Sequence, residues 1–125
     1  MRNDTQNLIV DLTFDFSIKI IEYSEKLREL KKYEMSSQIF RSGTSIGANI
    51  REAQNAESKA DFIHKFKIAA KEADEIEYWL KLCKRSPFYP DPNEEVYGEL
   101  NSIIRIVSKI ISSSKKKKLS NFSNQ

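Results

Sequence analysis

The sequence predicts an all-α protein, folded as an antiparallel four-helix bundle in up-down-up-down order. Glycine and proline are rare, with three of each in 125 residues, and 31% of the residues are charged, which is typical of helical proteins. Apolar residues recur at helical spacing in four long segments that are separated by short breaks. The length suits one domain, which we predict over residues 1–113, with helices at about 6–31, 35–55, 59–85 and 92–113.

The first helix carries apolar residues on two opposite sides. The predicted core-facing residues recur every seven positions: Ile9, Phe16, Tyr23 and Leu30. Phe14, Ile18 and Ile21 lie nearly opposite this stripe. A helix in a small monomeric bundle has no use for a second apolar face, so we predict that this face contacts another molecule.

The second helix is predicted to pack on more than one side. Its core stripe includes two polar residues, Ser42 and Asn49, and a buried polar group is costly without a partner. We therefore expect these two side chains to form a hydrogen-bonded pair that sets the register of the helices. Gly43 and Gly47 each cost about 1 kcal/mol of helix propensity relative to alanine, so we expect a close backbone approach here.

Residues typical of helix starts precede the third and fourth helices. Ser58, followed three residues later by Asp61, predicts an N-cap at the start of the third helix. Asp91, Pro92 and Glu94 predict an N-cap, a proline at the first helical position and a glutamate in the first turn of the fourth.

The third helix also has more apolar surface than a core needs. Its core-facing residues step alternately by four and three positions, as in the seam of a bundle. Ile68, Tyr78 and Leu82 fall off that seam. We predict a homo-oligomer, and the candidate interface residues come from the first and third helices: Phe14, Ile18, Ile21, Ile68, Tyr78 and Leu82.

Charge is concentrated at one end of the chain. The net charge is +3, and Lys115, Lys116, Lys117 and Lys118 contribute four positive charges, which leaves the rest at −1. Residues 114–125 are predicted to be a disordered basic tail, because they hold little apolar surface. Such a lysine run neutralises phosphates without reading sequence. Further candidates for a basic surface lie on the third and fourth helices: Lys65, Lys67, Lys71, Arg105 and Lys109. The alternative is a solubilising tail and solvated helix faces.

Arg41 and Ser45 lie on one side of the second helix, together with Glu52. One interpretation is an arginine-centred contact to phosphate. We favour a structural role, in which Arg41 pairs with Glu52, Glu72 or Glu75, within the subunit or across an interface, because a planar guanidinium suits a carboxylate.

No residue pattern points to an enzyme, a cofactor or a metal. Asp61 and His64 have the spacing of two metal ligands, but a di-iron bundle needs that motif twice and His64 is the only histidine. Cys83 continues the core seam, and we expect it to be buried. A lone cysteine, no apolar run of about 20 residues and no signal peptide predict a cytoplasmic protein without a membrane contact.

One set of motifs carries a family resemblance over about residues 16–111. They are Arg41-Ser42-x-x-Ser45-Ile46-x-x-Asn49-Ile50, then Asp61-Phe62-Ile63-His64-Lys65-Phe66, then Glu77-Tyr78-Trp79-Leu80. These resemble the 23S rRNA intervening-sequence protein family, whose members are usually called four-helix bundle proteins. The resemblance implies an up-down-up-down bundle assembled as a homopentamer. Relatives include the accessory variability determinant of diversity-generating retroelements, for which it also implies binding of nucleic acid and of a reverse transcriptase.

Two functional interpretations remain open at this point. The first is sequence-independent nucleic-acid binding, of RNA in particular but also of DNA, by a non-enzymatic homo-oligomer. The second is a protein-binding scaffold or accessory subunit that involves no nucleic acid. Binding through phosphates weakens steeply as salt rises, whereas an apolar protein contact tolerates salt. Metal analysis of the purified protein would remove the remaining alternative, a di-metal oxidase.

Overall fold

A computed structural model describes the backbone of residues 4–123 and the side chains of residues 7–116. It contains four helices: α1 (Asp4–Glu29), α2 (Tyr33–Ala53), α3 (Lys59–Arg85) and α4 (Glu94–Ser123). Each helix packs against its two neighbours around the bundle, and within the described residues the backbones of the diagonal pairs have no Cα atoms within 8 Å of each other. The prediction of an all-α four-helix bundle is confirmed. No helix in the described part of the chain is long and apolar enough to cross a membrane.

The first connection is a short turn closed by backbone hydrogen bonds. Lys31 N donates to Arg28 O (2.9 Å) and Lys32 N donates to Leu27 O (2.8 Å), the pattern of a Schellman motif. Lys31 adopts the left-handed backbone conformation, with a φ of 63°, which ends α1. Leu30 is therefore 54% exposed, and its predicted place in the core stripe is wrong.

The start of α3 follows the prediction. Asp61 N donates to Ser58 Oγ (3.0 Å), which makes Ser58 the N-cap. The carboxylate of Asp61 in turn accepts from Glu57 N (3.3 Å). This side chain is therefore part of a helix cap, and a carboxylate there also suits the helix dipole.

The start of α4 differs from the prediction. Glu95 N donates to Asn93 Oδ1 (2.6 Å), so Asn93 is the cap in place of Asp91. Pro92 is buried, and Tyr23 Oη donates to Pro90 O (2.6 Å). The segment before α4 is thereby held against the end of α1, and the helix begins only after it.

The end of α4 also differs from the prediction. The helix continues to Ser123, ten residues past its predicted end at residue 113, while residues 124–125 lie outside the described part. No glycine or proline follows Gly98, and lysine is a good helix former. The lysine run therefore extends the last helix instead of interrupting it.

The core lies along the bundle axis and is built from all four helices. Its fully buried large side chains are Phe16, Phe66, Ile9, Ile20, Leu27, Ile39, Ile46, Ile50, Ile76, Leu80, Leu100 and Ile103. Cys83 is buried as well, as predicted, and burial raises the pKa of its thiol. At the surface, Lys19 of α1 pairs with Glu95 (2.9 Å) and Glu99 of α4.

Tyr97 makes the stability of this fold sensitive to alkaline pH. Its Oη donates to Leu80 O (2.7 Å), and burial raises the pKa of Tyr97 to about 12, from 10. The folded protein holds this proton more tightly than the unfolded chain, so the associated stability is complete below about pH 10 and is lost as the pH rises toward 12. We expect Tyr97→Phe to flatten the fall in the free energy of unfolding over this interval, measured by urea unfolding.

Tyr33→Phe is the matched control, because Tyr33 is an exposed tyrosine at the start of α2 and lies outside the exposed apolar faces of α1 and α3. It should leave the pH dependence unchanged. Some dependence should remain in Tyr97→Phe, since burial also raises the pKa of Tyr23 and of Cys83. If the free energy of unfolding falls equally steeply with pH in the wild type and in both variants, the role of Tyr97 is contradicted.

Candidate nucleic-acid interface

Two of the predicted basic residues meet between α3 and α4. The helices are antiparallel, so the first half of α3 lies beside the end of α4. Lys67 of α3 and Lys115 of α4 are both exposed, and the neighbouring Lys115 ammonium lowers the pKa of Lys67. Two like charges at one place on the surface repel each other, and an anion between them would relieve that repulsion.

Five of the other predicted basic residues divide into three groups. Lys65 pairs with Glu52 (3.1 Å) across α3 and α2 and is thus already engaged. Lys71 and Lys116 are exposed on the same two helices as the meeting pair. The side chains of Lys117 and Lys118 lie outside the described residues. Among the described side chains, neither Lys67, Lys71, Lys115 nor Lys116 has a carboxylate within 4.0 Å.

Arg105 and Lys109 do not complete this cluster. Both are exposed on α4, but Lys109 precedes Lys115 by six residues, which turns it about 120° around the helix. Arg105 lies ten residues before Lys115, about 15 Å along the axis. The structure brings Lys67 and Lys115 together, whereas Arg105 and Lys109 lie on other parts of the surface.

Arg41 bridges α2 and α3 through two carboxylates. Its guanidinium contacts Glu72 (3.1 Å) and Glu75, which confirms the predicted pairing with these two residues. Glu52 is not a partner of Arg41, because it pairs with Lys65. Since its charge is already matched, Arg41 is a poor candidate for a phosphate contact.

The predicted hydrogen bond between Ser42 and Asn49 is wrong. Ser42 Oγ donates to Gln38 O (2.7 Å), and Asn49 Nδ2 donates to Ser45 O (2.8 Å). Ser45 Oγ likewise donates to Arg41 O (2.5 Å). Short polar side chains in a helix reach the carbonyl one turn earlier, so these groups are satisfied within α2 and need no partner on another helix.

The predicted surplus apolar faces are exposed in this protein. Phe14 (61% exposed), Ile18 and Ile21 project from α1, and Tyr78 (58% exposed) and Leu82 project from α3. Because α1 and α3 are diagonal in the bundle, these two faces point in opposite directions. Ile68 is half-buried and contributes less.

Sequence reasoning missed Phe40, which is also exposed on α2. Gly43 lies against Ile20, so the antiparallel crossing places Phe40, three residues earlier on α2, about level with Tyr23 of α1. An apolar residue outside the core-facing stripe of α2 could have indicated an exposed side chain, and Phe40 is such a residue. Phe40 extends the apolar face of α1 onto the neighbouring helix.

The residues with metal-ligand spacing are used otherwise or lie apart. The Asp61 carboxylate belongs to the α3 cap, and His64 is exposed. Within the side chains that the structure describes, no three His, Cys, Asp or Glu residues are grouped closely enough to hold a metal ion.

Comparison with known proteins supports the fold and names a family. A solved structure at 1.70 Å resolution, of a protein with unknown function from the S23 ribosomal protein family of Bacteroides thetaiotaomicron, matches with a TM-score of 0.80 and 43% identity. The match covers 86% of this chain and 98% of that one. No curated protein matches the chain. Residues 5–113 match the family described as 23S rRNA-intervening sequence protein. Since this match spans most of the bundle, the chain belongs to the 23S rRNA-intervening sequence protein family.

Proposed function

We propose that this protein is a non-enzymatic, cytoplasmic homo-oligomer that binds nucleic acid, RNA in particular, without reading its sequence. The contact is assigned to a basic surface formed by Lys67, Lys71, Lys115 and Lys116. The observation that carries the proposal is the meeting of Lys67 with Lys115, where one ammonium lowers the pKa of the other. A phosphate placed between them would be attracted by both.

The residue types at this surface favour binding to the backbone of a nucleic acid. Lysine acts as a compact point charge on a flexible stem and contacts phosphates, which carry no sequence information. The four side chains are exposed on two neighbouring helices, α3 and α4. Such binding is salt-dependent, because each neutralised phosphate releases counterions.

The proposal is tested with a fluorescently labelled single-stranded RNA and measurement of anisotropy over a range of salt concentrations. We expect Lys67→Gln/Lys115→Gln to bind more weakly than the wild type at low salt. The slope of log affinity against log salt should become shallower by about one per lysine removed. The substitutions also remove a repulsion, so they should not destabilise the fold.

The matched control is Lys26→Gln/Lys31→Gln, which removes the same charge from exposed lysines near the C-terminal end of α1. This control should keep the wild-type slope. If both double variants lose affinity to the same extent, general charge and not this surface is responsible. If the wild-type protein does not bind the RNA at low salt, the proposal is overturned and the protein-binding scaffold is favoured.

Self-association is the second part of the proposal and rests on a different observation. Exposed Phe14, Ile18 and Tyr78 belong to two faces that point in opposite directions, and contiguous exposed apolar surface commonly marks a protein contact. When one face contacts the other on the next subunit, the contact is heterologous, and it closes into a ring where the rotation between successive subunits returns to the first one. Five subunits is the number that the family resemblance implies, and a ring would repeat the basic surface in every subunit.

We expect light scattering to give a mass that is a multiple of the 14.5 kDa subunit, and five subunits if the resemblance holds. Ile18→Glu and Tyr78→Glu should each lower this mass, because a charge buried in an apolar interface is costly. Asn101→Glu is the control, since Asn101 is an exposed polar residue of α4. A monomeric wild type would contradict self-association and leave the RNA experiment unaffected.

A further inference from the structure

An aromatic pocket lies at the end of the bundle opposite the basic surface. It has a volume of about 560 Å³ and is formed by the first turns of α2, by α3 and by the α3–α4 connection. Its lining includes Tyr33, Glu34, Gln38, Trp79 and Tyr89. We call this site the loop-end pocket. Its volume is in the range of small-molecule sites, about 300–1,000 Å³.

Three of the walls are aromatic rings. Tyr33 is exposed, whereas Trp79 and Tyr89 are half-buried. Trp79 is held in place by its indole, since Nε1 donates to Glu75 Oε2 (3.4 Å), and Glu75 is itself paired with Arg41. Aromatic faces that are accessible and fixed are the surfaces on which unpaired bases stack.

Positive charge borders the same rings. Lys32 Nζ lies 5.8 Å from the centre of the Tyr89 ring, and the Arg28 guanidinium lies 5.7 Å from the centre of the Tyr33 ring. Lys32 also lies 6.0 Å from the ring of Phe88, which is 73% exposed. Proteins that bind single-stranded nucleic acids combine cations with aromatic rings. The cations contact the phosphates, and the bases stack on the rings.

The polar groups of the pocket complement this arrangement. α2 begins here, and Lys32 at its N-cap position makes no side-chain cap bond, so first-turn amides remain available to an anion. Gln38 offers both a donor and an acceptor to the edge of a base. The Glu34 carboxylate also lines the pocket and offers an acceptor to an N–H of a base.

We propose that the loop-end pocket binds one unpaired nucleotide, with its base against Tyr89 and Trp79 and its phosphate at Lys32. The inference rests on nucleic-acid binding as the proposed function, but it uses a separate surface. A base inside a duplex is stacked and unavailable, so this site selects single-stranded segments or ends, which the basic surface does not.

The test uses Trp79, the only tryptophan of the chain, as its own reporter. AMP is titrated into the full-length protein while the tryptophan emission is followed, with N-acetyltryptophanamide as the correction for absorbed light. Ribose 5-phosphate, which lacks the base, is the comparison ligand. We expect saturable quenching by AMP and none by ribose 5-phosphate. Equal responses to both, or no response to AMP at millimolar concentration, would overturn the inference.

Two variants locate the effect. Tyr89→Leu should weaken AMP binding roughly 5- to 160-fold, the range for losing one stacking contact, and Lys32→Gln should weaken it through the phosphate. Lys26→Gln is the control, an exposed lysine of the same end of α1, and should bind AMP as the wild type does. Unchanged binding in both Tyr89→Leu and Lys32→Gln would place AMP elsewhere and reject the site.

The basic-surface variant separates this inference from the proposed function. In Lys67→Gln/Lys115→Gln, AMP should quench the tryptophan emission as it does in the wild type, even though the RNA binding of this variant is weakened. Loss of AMP binding in that variant would show that the nucleotide sits at the basic surface. Normal salt-dependent RNA binding without any AMP quenching would reject the loop-end pocket alone.

Discussion

Replacing Phe66 with alanine is expected to lower the free energy of unfolding by about 3–5 kcal/mol. Phe66 is fully buried among the four helices, and its truncation removes a large apolar side chain and leaves a cavity that rigid helices fill incompletely. Since small domains are stable by only about 5–15 kcal/mol, this one change removes a large part of the total. Urea unfolding followed by circular dichroism measures the difference.

Phe62→Ala is the matched control for this prediction. The rings of Phe62 and Phe66 are 4.7 Å apart on the same helix, but Phe62 is only half-buried. Both variants lose the ring-to-ring contact, and only Phe66→Ala opens a cavity in the centre of the core. A loss in Phe62→Ala as large as in Phe66→Ala would contradict the central role of Phe66.

Gly43→Ala is expected to destabilise the protein by up to about 2 kcal/mol, although alanine is the better helix former. A Cβ built on Gly43 would lie 2.6 Å from Ile20 Cγ2 and 2.9 Å from Ile20 Cγ1. Ile20 is fully buried and β-branched, so it yields little. Overpacking costs about 1–3 kcal/mol, which exceeds the gain of about 1 kcal/mol in helix propensity.

The same substitution at Gly98 should have the opposite sign. A Cβ on Gly98 would meet no atom within 4 Å, and this residue is exposed on α4, so Gly98→Ala should stabilise by about 0.5–1 kcal/mol. In the background of Ile20→Ala, which removes both nearest carbons, Gly43→Ala should cost less than in the wild type. Equal effects of Gly43→Ala and Gly98→Ala would show that helix propensity alone decides.

The close approach at Gly43 was predictable in kind but not in detail. Glycines inside a helical apolar pattern indicate that something lies near the backbone. The partner of Gly43 is a side chain, Ile20, and not the backbone of another helix as predicted, whereas a Cβ built on Gly47 would lie 3.3 Å from the backbone oxygen of Thr13. Which atoms fill the space depends on how α1 and α2 pack, and helical periodicity carries no information about that.

Some helix ends were predictable from the local sequence, and others depend on the tertiary structure. Ser58 and Asp61 form a local cap, so their spacing was sufficient to place the start of α3. The end of α1 depends on Lys31, which adopts the left-handed backbone conformation. Lysine has no preference for that conformation, so its residue type did not indicate where the helix ends. The start of α4 depends on Tyr23, which lies far away in the chain and holds the backbone at Pro90.

The candidate sites were predicted less completely than the fold. A lysine run and scattered basic residues indicated nucleic-acid binding, but pairing across helices decides which charges remain available. Lys65 is matched by Glu52, whereas Lys67 faces another lysine. The loop-end pocket was not predicted at all, because Tyr33, Trp79 and Tyr89 come from three separate elements and meet only when the bundle closes.

Periodicity and composition were sufficient for the number of helices, their approximate extents, the core-facing stripes and the surplus apolar faces, because each depends on neighbours within one helix. Folding decided the rest: the left-handed turn at Lys31, the contact of Gly43 with Ile20, the bridging of Arg41 to α3, and the meeting of Lys67 with Lys115. All but the turn join residues distant in sequence, and all depend on the angle and register at which whole helices pack. Those are set by side-chain volumes summed over the entire core.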